Sequence, residues 1–349
     1  MSSASSHALR LLPLVALVAS PLALAAEPLK VFSPRLADPE APIYTTFTAE
    51  TGIPVELLET SMEAFTDGMR AAAEEGATPP ADVLMVVDSA NIHRQREAGW
   101  FQPLESETLE ARVPEALRDI EAGWSGYATR ARVIVINEAK LDWVPESYEA
   151  LTDPRLAGRL CLGGGASAYN TSLVSAMVAH HGAEQAEAWV EGLVANLARP
   201  AGGRDGELFA ALAEAGDCAV TVANHYYLLR MLGGEEAEQR ELAESLTLVW
   251  PNQAGEGLEG RGAYRNVAAF AVARGTPNAD AARLFLEHTA SDAVQQDVAE
   301  GIFYPVVAEI GPVEAEAVFG EATMDALAIN AMGEQAETAR EIMARAGWE

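Results

Sequence analysis

The order in which strand-like and helix-like segments follow one another constrains this chain more than any other feature. From residue 29 it runs "LKVFS", "PIYTTFTAETG", "IPVELLE", "SMEAFTDGMRAAAEEG", "ADVLMVV" and "SANIHRQREAG". The first, third and fifth segments are short and apolar. The others carry helical spacing and stop at Gly52, Gly76 and Gly99, the residue type best suited to the turn past a helix end. A βαβαβα order predicts a mostly parallel sheet with helices on both faces. The 349 residues leave room for a second domain of the same kind.

The rest of the chain supplies that second domain. "RARVIVINEAKL" reads as a strand leaving the first lobe and "GRLCLGG" as another strand. "TSLVSAMVAHHG", "AEQAEAWVEGLVANL" and "GELFAALAEAG" read as helices, the last feeding the strand "DCAVTVA". "NVAAFAVARG" reads as a strand and "NADAARLFLEHTAS" as a helix, before an Ala/Glu-rich helical end. The expected fold class is therefore α/β in two lobes, with the chain crossing between them near residues 128 and 255. Residues 27–127 and 255–305 form the first lobe; residues 128–254 and 306–349 form the second.

Residues 1–26 read as an export signal. "MSSASSHALR" carries one arginine and no acid, "LLPLVALVASPLALAA" is apolar, and "ALA" at 23–25 fits a small-residue cleavage site. The expected location is periplasmic. The formal charge is −29, and loss of Arg10 with the signal brings the mature chain to about −30. Such a surface argues against nucleic acid and anionic membranes as partners and suits salty surroundings. Lys30 and Lys140 are the only lysines among 23 basic residues. Cys161 and Cys218, in an exported chain, point to a disulfide; two separate buried thiols are the alternative.

The chemistry gathers around tyrosines. In "ANHYYLLRML", Asn224 is a good N-cap after the strand, and Tyr226 and Tyr227 fall in the first turn of a helix ended by Gly233. Residues at a helix start splay by about 100°, so both phenols can border one cleft. "RLCLGGGASAYNTSLVSAM" has the same build, with Tyr169 and Asn170 at the helix start. Cys161 precedes Tyr169 by the same interval as Cys218 precedes Tyr226. A 161–218 disulfide would make the two strand ends neighbours, where open α/β sheets bind ligands.

Three phenols at two helix N-termini can stabilise negative charge. A phenolate at neutral pH costs roughly 4 kcal/mol, so three cost on the order of 12 kcal/mol. A helix dipole offsets about 1 kcal/mol. A strongly Lewis-acidic cation supplies the remainder, and hard phenolate oxygen suits ferric iron. The ordinary alternative is tyrosines that line a sugar or peptide cleft, or that pack a turn.

These residues also carry a resemblance. "YNTSLVSAMVAHHG", "AWVEGLVANLARP" and "ANHYYLLRM", with "PADVLMVVD", "RARVIVIN", "WPNQ" and "RAGWE" in order, resemble the periplasmic ferric-ion-binding proteins of bacterial iron ABC transporters. The likeness covers nearly the whole mature chain. It implies a two-lobed periplasmic binding protein fold with a cleft between lobes. It implies a monomer that closes on Fe(III) and delivers it to an inner-membrane permease. It assigns Tyr169, Tyr226 and Tyr227 as metal ligands.

One departure stands out. Many members place a His-Tyr pair after the first strand, where this chain has Leu36 and Ala37, and neither can ligate iron. Octahedral iron then needs about three more donors. Carbonate with water, or iron delivered inside a small chelate, would supply them. Arg35, Arg130, Arg230 and Asn170 are the candidates to hold such an anion or to support the phenolates; Arg230 shares a helix face with Tyr226 and Tyr227.

Other residues carry weaker signals. His225 borders the tyrosines, but a first-turn position can equally face away from the cleft. His180 and His181 close a helix, where the dipole favours imidazolium. Asp82 and Asp88 flank a buried strand and are expected to cap or to line the cleft. The triple glycine at 163–165 lacks the Gly-Lys-Ser/Thr that completes a phosphate loop. It is expected to turn sharply or to let backbone approach the ligand. No G-x-S-x-G elbow or H-E-x-x-H occurs, so an enzyme is not expected. The competing function in the same fold is a binder of an iron chelate, an oxyanion or a small organic anion.

Overall fold

The computed structural model describes residues 27–311 and 313–349; the export segment predicted for residues 1–26 lies outside the described residues. Nine strands appear among the described residues: β1 Leu29–Phe32, β2 Val55–Leu57, β3 Val83–Val87, β4 Arg118–Asp119, β5 Trp124–Ile136, β6 Val220–Asn224, β7 Thr247–Val249, β8 Arg265–Val272 and β9 Tyr304–Pro305.

The first three strands and their helices follow the predicted βαβαβα order. β1 pairs with β2 and β3 in parallel, and the intervening helices Pro42–Thr51 and Met62–Glu75 each end at a left-handed glycine, Gly52 and Gly76. The sheet is then completed antiparallel, in the order β2-β1-β3-β8-β5-β4. It is mixed because β8 returns from the far end of the chain and inserts between β3 and β5. Its faces are covered by large apolar groups. Phe47 and Phe285 meet edge to face at 5.2 Å, and Phe270 meets Phe285 at 5.3 Å. Each such ring contributes about 1.5–3 kcal/mol by leaving water.

β5 builds both lobes. Its residues 124–131 pair with β8, and its residues 132–136 pair with β6. All thirteen of its residues are buried. The strand starts six residues before the expected segment "RARVIVINEAKL" and stops at Ile136, short of that segment's end. "WSGYAT" carries a glycine and polar groups, and its strand character comes from pairing with β8 rather than from its own pattern. "GRLCLGG" is not a full strand: only Leu160 bridges, in parallel, to Val220 and to Leu197. Its backbone is nevertheless tied to β6 by Cys161 N–H to Val220 O at 2.9 Å and Ala219 N–H to Arg159 O at 2.8 Å.

The C-terminal helices close the back of the molecule. Ile329–Glu334 packs against both Ser89–Glu97 and Ala168–His181. Gly333 makes this possible: a Cβ there would sit 2.7 Å from His93 Cβ and 2.9 Å from Ser89 O. Beyond helix Ala336–Ala346, the buried Trp348 donates its indole N–H to Gly163 O at 2.9 Å.

Candidate functional site

Two strand-to-helix turns, lying side by side, create the site. β6 ends at Asn224, and His225–Leu232 begins at the next residue, so Tyr226 and Tyr227 occupy its first turn. Asn224 sits at the cap position with extended backbone, but its side chain does not cap the helix. It donates instead to the Tyr226 hydroxyl at 3.3 Å, orienting that phenol. The second turn passes from Leu160 through the triple glycine to Ala168–His181, whose second residue is Tyr169. The Cys161–Cys218 disulfide joins the segments that lead into the two turns, with Cα atoms 5.6 Å apart.

Tyr169, Tyr226 and Tyr227 line one cavity of about 470 Å³, together with Arg35, Arg130 and Arg230. The rings of Tyr226 and Tyr227 lie 4.4 Å apart at 36°. Burial pushes the Tyr226 phenol far above its ordinary value, and the neighbouring Tyr169 and Tyr227 phenols push it further. The protein alone therefore favours a neutral phenol, and deprotonation has to be driven by whatever cation the oxygens meet. What the arrangement offers is three hard oxygens on one wall, suited to a hard, highly charged ion.

The arginines divide into two kinds. Arg130 is 4% exposed, its guanidinium carbon 5.3 Å from the centre of the Tyr169 ring. Its Nη2 is 3.5 Å from Asp88 Oδ2, an ion pair without hydrogen-bond contact. Nε and Nη2 have no hydrogen-bond partner among the described residues. Buried donors left open in this way are costly unless a ligand completes them. Arg230 is exposed and lies over both tandem tyrosines, 5.7 Å from the Tyr226 ring and 5.9 Å from the Tyr227 ring. Arg35 is exposed and lines the same cavity.

Asn170 does not line the cavity. Its Nδ2 donates to Gly163 O at 3.1 Å and Gly164 O at 3.0 Å, and its Oδ1 accepts from Arg132 Nη2 at 2.7 Å. It holds the glycine loop and places the Arg132 guanidinium 5.9 Å from the Tyr169 ring. The triple glycine serves a different approach from the one expected. A Cβ on Gly165 would lie 2.0 Å from Trp348 O, so the close neighbour is the C-terminal backbone rather than a ligand.

His225 is fully buried and faces away from the cavity. Its Nδ1 accepts from Ala131 N–H at 3.2 Å and its Nε2–H donates to Ile302 O at 3.1 Å, pinning β5 to the segment before β9. Burial lowers its pKa to about 4, so the ring is neutral at physiological pH. His180 and His181 are also committed, to Asp325 at 2.6 Å and to Glu149 at 2.9 Å. Asp82 accepts from Lys30 N–H at 2.8 Å and ties the sheet to Asn278.

The first-lobe wall is poor in donors. Leu36, Met85, Val87, Ala268 and Phe303 form much of it, and Leu36 stands where an iron ligand was sought. Two oxygen-bearing residues there escaped sequence reasoning, Tyr127 and Asp297. Tyr127 lies in the part of β5 that carried no strand pattern. Asp297 lies on the helix Asp292–Glu300, one acid among 52 acidic residues, and nothing in its local sequence marks it.

With this geometry in hand, known proteins provide the context. Residues 78–320 match the bacterial extracellular solute-binding protein family, whose members bind solutes for transport rather than transform them. The chain is 37% identical over 324 residues to iron uptake protein A1 of Synechocystis, covering 92% of this chain and 87% of that protein. A structure of the Trichodesmium protein IdiA, or FutA, in complex with iron and citrate ligands superposes with a TM-score of 0.84. That match is at 32% identity and covers 92% of this chain and 99% of the other. Apo FutA2 from Synechocystis also superposes with a TM-score of 0.84, at 32% identity over 93% of this chain and all of the other.

Proposed function

From the premise that the chain belongs to the bacterial extracellular solute-binding protein family, we propose that it is the ferric-ion-binding component of an ABC-type iron importer. Tyr169, Tyr226 and Tyr227 ligate Fe(III) as phenolates, and the ion is the cargo. The observation that carries this reading is that three phenols from two helix N-termini share one cavity with a buried arginine whose donors are open. Coordination to iron supplies the energy that deprotonating a buried phenol requires.

Arg130 holds the accompanying anion, carbonate in the first instance. The anion fills coordination positions that the first lobe, with Leu36 and Ala37, leaves empty. Arg230 stabilises the tandem phenolates from the solvent side, and Asn170 supports them through Arg132. Arg35 approaches from the first lobe when the lobes close. We take the lobes as residues 27–127 with 255–305 and 128–254 with 306–349, hinged on β5 and on the 250–264 connection. The mature protein is a periplasmic monomer, exported through its first 26 residues, that hands iron to the membrane permease.

A second reading is favoured by the donor-poor first-lobe wall: iron arrives already held by a small polycarboxylate, whose remaining oxygens occupy those positions. Ferric titration of the mature protein, followed in the visible with no added anion, with carbonate and with citrate, separates the two. Carbonate alone developing the full phenolate-to-iron band supports the first; a band that needs citrate supports the second. A protein that stays colourless in all three contradicts both.

A further inference from the structure

Asp88 is a buried carboxylate with four partners, and the site described above involves it only through its ion pair with Arg130. It follows β3, opens the helix Ser89–Glu97 by accepting from Ala90 N–H at 3.2 Å, and is 1% exposed. Its backbone is strained: φ is +91° on a residue that is not glycine. A conformation of this kind costs about 1–3 kcal/mol and persists only where surrounding contacts impose it.

Those contacts come from β8, from β5 and from the helix that carries Tyr169. Asn266 of β8 donates Nδ2–H to Oδ2 at 2.7 Å, and its own Oδ1 accepts from Ser89 N–H at 3.0 Å. Arg130 of β5 brings its Nη2 to 3.5 Å from Oδ2. Ser172, on the helix that begins with Ala168 and carries Tyr169, donates its hydroxyl to Oδ1. One carboxylate thus touches β8 and β5, and also grips the second-lobe helix that bears a phenol of the cavity.

We propose that Asp88 is a positioning residue for the anion and iron site. It anchors the Arg130 guanidinium over Tyr169 by charge while leaving the arginine's hydrogen-bond donors open for an incoming anion. The contact at 3.5 Å is what makes this work. A closer, bidentate pair would fix Arg130 equally well, but would consume the N–H groups that an anion needs. Through Ser172 the same carboxylate fixes the start of Tyr169's helix against β3. Anion clamp and phenolate are therefore held in register from one point.

This inference rests on the proposed role of Arg130 and the phenolates, and its test separates the two. Apo protein is titrated calorimetrically with citrate, and separately loaded with ferric iron in the presence of citrate, for wild type, Asp88→Asn, Arg130→Gln and the double variant. Asp88→Asn keeps size and shape but loses the charge. The expected result is citrate affinity weakened about tenfold or more in Asp88→Asn, with a displaced visible band. Little further loss should follow when Asp88→Asn is added to Arg130→Gln, because Asp88 acts through that arginine. Ser172→Ala removes the link to the helix alone, and it should displace the band while leaving citrate affinity within about twofold. Independent, additive losses, or a citrate affinity in Asp88→Asn equal to wild type, would overturn the proposal. If wild type develops no ferric band, the iron reading fails, while the citrate cycle on apo protein still decides the role of Asp88.

Discussion

The guanidinium of Arg130 lies over the ring of Tyr169, 5.3 Å from its centre, although the two residues come from different elements and 39 positions separate them in the sequence. Arg130 belongs to the strand that crosses between the lobes, and Tyr169 to the first turn of a second-lobe helix. The Arg130 charge is buried, paired only at 3.5 Å and short of hydrogen-bond partners, and in the proposed function an anion completes the site there. Replacing Arg130 with Ala removes about two charge-assisted hydrogen bonds to that anion. At roughly 1.5–3 kcal/mol each, carbonate-dependent ferric affinity should fall by about 100- to 10,000-fold. Competition with a ferric chelator, with and without carbonate, reads this out. Equal loss in both conditions would assign Arg130 a structural role instead.

Stability should fall on mild acidification for a reason located at His225. Its folded pKa is lowered to about 4, against 6.5 unperturbed. The unfolded chain therefore binds a proton that the folded protein refuses. The contribution is fully present above pH 6.5 and is lost as pH falls from there toward about 4. The full loss is about 3 kcal/mol, of which about 2 kcal/mol is reached by pH 5. Urea unfolding of apo protein at pH 7 and pH 5 measures it. His225→Gln, which keeps a donor and an acceptor, should flatten the difference; a slope unchanged in that variant would place its origin elsewhere.

The Cys161–Cys218 bridge closes a loop of 57 residues. On the chain-entropy model such a loop stabilises by about 4 kcal/mol. Cys161→Ser with Cys218→Ser should lower unfolding stability by that order. It should also weaken ferric binding, because the bridge holds the two tyrosine turns together. Retained affinity in a destabilised double variant would show that β6 pairing alone sets the spacing.

Gly165→Ala should be costly although glycine here has no unusual backbone angle. The added methyl would meet Trp348 O at 2.0 Å, and backbone on both sides leaves little room to yield. A loss of about 1–3 kcal/mol is expected, as for an overpacked site. Thermal unfolding of the variant against wild type measures it.

Local physics made much of this fold legible. The helix stops at Gly52 and Gly76 need only the left-handed conformation, and both follow from the sequence. The Tyr226–Tyr227 turn was legible as a strand followed directly by a helix start, whereas the Tyr169 turn is a bridged residue and a glycine loop before its helix. What local pattern could not carry was long-range pairing. The first half of β5 is a strand because β8 lies beside it, and Leu160 bridges because Val220 and Leu197 flank it. Asp88 was visible as a flanking acid, but its partners Arg130, Ser172 and Asn266 lie 42 to 178 residues further on. His225 has the sequence context of a ligand, and only its burial against Ala131 and Ile302 removes it from the cleft. The glycine loop was identified, but its neighbour, the chain's own C-terminus, could not be inferred from local sequence.

The account depends most on three phenols acting together on one ferric ion. Ferric titration of the mature wild-type protein, followed in the visible alongside Tyr169→Phe, Tyr226→Phe and Tyr227→Phe, tests it directly. A one-to-one coloured complex in wild type, with each substitution shifting or bleaching the band and weakening binding while circular dichroism stays unchanged, is the predicted result. A band that survives unaltered in any of the three variants would contradict it.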